Sequence, residues 1–64
     1  MPIMKFFKYD HLPFTLAEVS KPFCELAHWM EASLPDTDER TAGLRKLLEA
    51  KDCAVRAELE RPKD

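Results

Sequence analysis

Residues 34–57 read LPDTDERTAGLRKLLEAKDCAVRA, and this stretch decides the fold. Leu34, Pro35 and Asp36 end whatever helix precedes them. Asp36 with Glu39 three residues on has the spacing of a capping box, in which two side chains satisfy the first free amides of a new helix. The acidic run Asp36, Asp38, Glu39 suits the positive end of a helix dipole. Leu44, Leu47, Leu48, Val55 and Leu59 then recur as a bulky stripe, beside a small-residue stripe of Ala50, Ala54 and Ala57 that admits another helix at close range. Gly43 is the only glycine; it weakens a helix interior by about 1 kcal/mol relative to Ala, which is consistent with close packing at that position. The spacing predicts a helix over residues 36–60, and Pro62 stops it.

A second periodic segment lies upstream. Thr15 and Glu18 repeat the capping-box spacing, and Leu16, Val19, Phe23, Leu26, Met30 and Leu34 fall in steps of three and four that define one face of a helix over residues 15–34. Pro22 interrupts it, because its ring meets the carbonyl of Glu18 and it has no N–H to give. The helix either kinks there or restarts with Ser20 as N-cap and Pro22 in its first turn, and the restart is the expectation. Two helices joined by a short turn read as an all-α antiparallel helical hairpin, a single domain over residues 1–64. Residues 1–14 carry Pro2, Pro13 and the cluster KFFKYDH without helical period, which predicts an extended aromatic arm. Phe7 and Tyr9 alternate there with Lys8 and Asp10. The rings either cap the hairpin's seam or stack on a base while neighbouring Lys and His meet phosphate.

A chain of 64 residues buries too little apolar surface to offset its conformational entropy comfortably, so something must assist it. Cys24 and Cys53 do not: with the chain folded near Pro35, Cys53 lies about 9 Å along the axis from the point opposite Cys24, at 1.5 Å rise per residue, too far for a bridge. Two cysteines without CxxC or HxxxH spacing do not make a zinc site, and free thiols are expected. Self-association is therefore the expected helper, and Trp29, off the main seam, suits a subunit contact. The net charge is −2, with ten basic residues scattered among twelve acidic ones, which argues against a DNA or RNA binder. Lys5, Lys8 and Asp10 interrupt the N-terminal apolar residues too soon for a signal peptide or a membrane span. Arg45 with Glu49, and Asp52 with Arg56, are spaced as pairs on a solvated face. Lys51, between Leu48 and Val55, either snorkels at the seam's edge or reaches a buried anion. His11 and His28 lack motif-spaced carboxylates or thiols and there is no Gly-rich phosphate loop, so no catalysis, metal or cofactor is expected.

The run LPDTDERTAGLRKLLEAKD, preceded by ELAHWME and by an N-terminal FKYDH, resembles the small helical-hairpin phage proteins that sequester immune cyclic nucleotides, the anti-CBASS and anti-Thoeris sponges. The resemblance covers residues 7–57 and is strongest over the ungapped block 25–50. It implies a hexamer of hairpins that binds cyclic dinucleotides, in some members cyclic trinucleotides, between subunits without hydrolysing them, in the cytoplasm of an infected bacterium. The family's arm carries an aromatic-x-Tyr-His motif, matched by Phe7 and Tyr9 with His11 one place late. The tyrosine stacks on a base in that family, which makes Tyr9 the first candidate. A basic position early in the first helix aligns with Ser20, next to Lys21. A family arginine late in the second helix aligns with Glu60, next to Arg61. Where the family has a Trp-Ala-Asn segment, this chain has Cys53, Ala54 and Val55. Lys21, with Arg56 or Arg61, would meet the two phosphates if different subunits supply them. The alternative is a non-enzymatic helical module that docks on another protein through the Trp29 face or the small-residue face.

Overall fold

Two α-helices, α1 (Phe14–Ser33) and α2 (Asp38–Leu59), run antiparallel through the turn at residues 34–37, and a 3-10 helix over Pro2–Phe7 packs on both. The computed structural model describes residues 2–62, which form a rod of 45 × 19 × 16 Å. No strand occurs among the described residues, so the all-helical hairpin is as expected. None of the helices is long and apolar enough to cross a membrane.

The details correct four expectations. Pro2–Phe7 is helical rather than extended, because a 3-10 turn brings Ile3, Met4 and Phe7 together onto the hairpin. A 3-10 helix is poorly bonded by itself, so this burial is what holds it. Secondly, α1 passes through Pro22 without a restart. Glu18 and Pro22 are both exposed, so the carbonyl that Pro22 cannot serve lies on the solvent side, where water replaces the missing donor.

Thirdly, Thr15 is not a cap. Pro13 occupies the N-cap of α1 with no side-chain cap bond, and its carbonyl accepts from Ala17 N at 2.8 Å. Finally, α2 is capped one residue later than the acidic run suggests. Thr37 has extended dihedrals and its Oγ1 accepts from Arg40 N at 3.2 Å, the bond an N-cap makes to the third helical amide. Asp36 pairs instead with the Arg40 side chain at 3.0 Å.

The core lies where the three elements meet. Phe7, Cys24, Ala27 and Leu44 are buried, with Ile3, Met4, Tyr9, Phe23, Met30, Leu47 and Leu48 packed around them. On α1 this rotates the inward face away from the bulky seam: Leu26 and Leu34 are exposed, whereas Ser20, Cys24 and Ala27 turn inward. Small residues at helical spacing leave a groove, and Phe7 fills it from the 3-10 helix.

Gly43 shows the same economy of space. A Cβ built there would come 3.1 Å from Met30 Cε, the mobile end of a flexible side chain. Gly43→Ala should therefore stabilise the fold by about 0.5 kcal/mol, since a helix interior gains up to about 1 kcal/mol from the change and Met30 gives back part of it. Chemical denaturation measures this directly. Net destabilisation would mean that Met30 cannot move.

Candidate functional site

The residues expected to bind ligand divide into exposed and enclosed groups. Tyr9 and His11 lie in the connection between the 3-10 helix and α1, where Leu12 N donates to Tyr9 O at 3.0 Å and closes a turn. Tyr9 is partly buried against the core, and His11 is exposed. Lys21 is exposed on α1 and makes no ion pair with a described residue. Arg56 is exposed on α2, with Nη2 donating to Cys53 Sγ at 3.4 Å.

Arg61, just beyond α2, is engaged within its own chain. Its Nε and Nη2 donate to Glu58 Oε2 and Oε1, both at 2.8 Å. This fork holds the Glu58 carboxyl below its usual range and raises the Arg61 guanidinium. The pair borders a cleft of ≈ 330 Å³ between the start of α1 and the end of α2, lined by Thr15, Leu16, Glu58, Leu59, Arg61 and Pro62.

Two of the expected ligand residues are not available on this protomer's surface. Phe7 is wholly buried and anchors the 3-10 helix. Alternation along an extended arm had put it beside Tyr9 as a second stacking ring; the 3-10 turn takes it inward instead. Ser20 is also wholly buried, because α1 continues through Pro22 and keeps Ser20 on the inner face rather than at a helix start. Its Oγ has no hydrogen-bond partner among the described residues.

A buried hydroxyl without a partner is a net cost. Ser20→Ala should raise stability by about 1 kcal/mol, from the removed desolvation penalty and the better helix propensity of alanine. Thermal and chemical unfolding of the two proteins give the sign. A loss of stability would show that the hydroxyl is bonded in solution.

Lys51, with its side chain only 12% exposed, meets Asp52 at 3.3 Å, so its stem is covered while the ammonium reaches its own neighbour. Asp52 thus pairs with Lys51 rather than Arg56, and among the described residues Arg45 and Glu49 form no ion pair. Both cysteines are free. Burial, then Glu25 and Asp10, push the Cys24 thiol up, which keeps it unreactive. No group of three His, Cys, Asp or Glu among the described residues could hold a metal ion.

Sequence reasoning did not single out Arg40. Its Nη1 donates to Glu31 O at 3.0 Å and to Leu34 O at 3.1 Å, and its Nη2 to Asp36 Oδ1 at 3.0 Å. It thus covers the end of α1 from the first turn of α2. The available signal was a lone cation in an acidic turn, one helical turn after Asp36 and within reach of the preceding helix's unpaired carbonyls.

No protein-family model, curated protein or solved structure matches this chain.

Proposed function

We propose that the chain is a non-enzymatic binder of cyclic oligonucleotide second messengers, cyclic dinucleotides first and cyclic trinucleotides second, and that it sequesters them from a host effector as a phage-encoded evasion protein in the bacterial cytoplasm. The observation that carries the reading is a combination. A tyrosine is held part-exposed in a turned loop, and Lys21, Arg56 and Arg61 project from the half of the hairpin away from the 34–37 turn. Those are the groups that a ligand with flat bases and two phosphates requires. Among the described residues Lys21 has no ion pair to give up, so it is the first phosphate ligand. Arg61 must leave Glu58 to serve.

A single protomer supplies one such tyrosine, whereas a cyclic dinucleotide has two bases and two phosphates. Two copies related by a two-fold axis would present Tyr9 and Lys21 twice, matching a ligand of the same symmetry. The protomer's surface supports self-association on independent grounds. Phe14 is 78% exposed, Leu59 66% and Trp29 55%, with Phe6, Leu26 and Leu34 also outside, while the core is very small. Covering these side chains with further copies, in a hexamer as the family resemblance suggests, would provide the apolar burial that so short a chain lacks.

Titration calorimetry with a panel of cyclic di- and trinucleotides tests the reading. Loss of one stacked ring is worth about 1–3 kcal/mol, so Tyr9→Ala should weaken binding by roughly tenfold to a hundredfold, and Lys21→Ala by a comparable factor with a reduced salt dependence. The ligand should be recovered intact; a linear product would contradict the absence of turnover. If no cyclic nucleotide binds the wild-type protein, the reading fails. In that event the exposed Leu26 and Trp29, which share one face of α1, favour a module that docks on another protein. Light scattering addresses the assembly, and a stable monomer would contradict it.

A further inference from the structure

The aromatic pair of the N-terminal segment does not act as a pair. Phe7 has no exposed surface and is the largest fully buried side chain, whereas Tyr9, two residues on, is only partly covered. We infer that Phe7 is a positioning residue for Tyr9: seated between α1 and α2, it latches the 3-10 helix and thereby sets where the Tyr9 ring is presented to the ligand. The inference rests on the function proposed above and deepens it, since it makes the binding surface conditional on the docking of a terminal segment.

The seat is built for such a plug. Cys24 and Ala27 on α1 are small, and Leu44 on α2 closes the other side. Ile3 and Met4 join Phe7 on the packed face of the 3-10 helix, while Phe6 points outward with Lys5 Nζ 5.2 Å from its ring centroid. Two residues span at most about 7 Å, so a fixed Phe7 confines Tyr9 tightly on its N-terminal side. On the other side, the Leu12 N to Tyr9 O bond and the Ala17 N to Pro13 O bond tie the loop to α1. Tyr9 is therefore clamped between a helix start and a plug whose wholly buried side chain is Phe7.

The chain has one tyrosine and one tryptophan, which makes the test specific. With ring-¹³C-labelled tyrosine, the wild-type protein should give dispersed Tyr9 signals by NMR, and Phe7→Ala should move them to random-coil positions. Far-UV circular dichroism and Trp29 emission should show the hairpin intact. Cyclic dinucleotide affinity should fall by about tenfold or more, the scale of a lost stacking ring. Phe7→Leu, which refills the seat, should restore both signals. Ala27→Val should narrow the seat from the other side and release Tyr9 with Phe7 unchanged, which covers the case in which Phe7→Ala fails to fold. Unmoved Tyr9 signals in Phe7→Ala would overturn the inference whatever the ligand does, and so would a released ring with unchanged affinity. If no cyclic nucleotide binds the wild-type protein, the functional proposal falls and the presenting role falls with it, while the NMR signals still decide whether Phe7 holds the loop.

Discussion

Replacing Leu44 by alanine is expected to be the most damaging conservative change in this protein, lowering stability by about 3–5 kcal/mol, the range for wholly buried leucines in rigid surroundings. Leu44 is completely buried and shares one core cluster with the plug residue Phe7, Cys24 and Ala27. Its removal leaves a cavity where all three elements meet, and neither helix can close on it without displacing the 3-10 helix. A domain of this length has roughly 3–10 kcal/mol of stability in total, at 0.05–0.15 kcal/mol per residue. The substitution therefore consumes much or all of it. Urea denaturation followed by circular dichroism measures the loss, and Leu26→Ala is the control. Leu26 is exposed on the protomer, so its truncation should matter little at low protein concentration and more where copies associate. The Leu44 defect should persist at every concentration. A loss below 1 kcal/mol at Leu44 would mean that the three elements do not share one core.

The contrast between Leu44 and Leu26 also explains how much of the fold is legible in the amino-acid sequence. On α2 the leucine stripe faces inward through Leu44, Leu47 and Leu48 and is exposed by Leu59, and the Pro35 turn forces the antiparallel return. Those features arise from local periodicity and local backbone restriction, which a single sequence displays. On α1 the same counting of bulky residues is only partly right: Phe23 and Met30 pack against the core, whereas Leu26 is exposed, as is Leu34 just past the helix. Periodicity assumes that a helix buries its largest side chains against one partner. Here a third element supplies the bulk, and α1 contributes Ser20, Cys24 and Ala27 to receive it. Nothing local at positions 20, 24 or 27 signals that a ring from position 7 will occupy the space. Pro22 is a similar case: its local penalty favours a break, and the packing of the inner face on both sides of it keeps the helix whole.

Legibility of the candidate site follows the same division. Lys21 and Arg56, candidates from the family resemblance and from their charge, are exposed. Phe7 and Ser20 are candidates by their place in the family pattern, and tertiary contacts bury both. Arg61, next to the position aligned with the family arginine, is held by the carboxylate three residues earlier in a bidentate fork, a pairing that the i, i+3 spacing already allows.

Arg40 is the position where a surface-looking charge should have a core-like effect. Its side chain is 10% exposed, and its guanidinium joins two carbonyls at the end of α1 to a carboxylate in the turn. Hydrogen bonds that involve a charged group are worth about 1.5–3 kcal/mol, and the two carbonyls left behind by Arg40→Ala regain water only in part. A loss of about 2–3 kcal/mol is expected. Arg40→Lys should recover no more than about half, because an ammonium cannot span both carbonyls and the carboxylate in the planar fork of a guanidinium. Asp36→Ala isolates the weakest arm. Asp36 is 86% exposed, and such an ion pair is worth at most about 1 kcal/mol. Hydrogen exchange localises the effect: in Arg40→Ala the amide of Leu34, which donates to Met30 O at 3.0 Å, should lose protection ahead of the middle of α1. If Arg40→Ala and Asp36→Ala were equally mild, the carbonyl bonds would be incidental, and the turn would be held by Pro35 and the Thr37 cap alone.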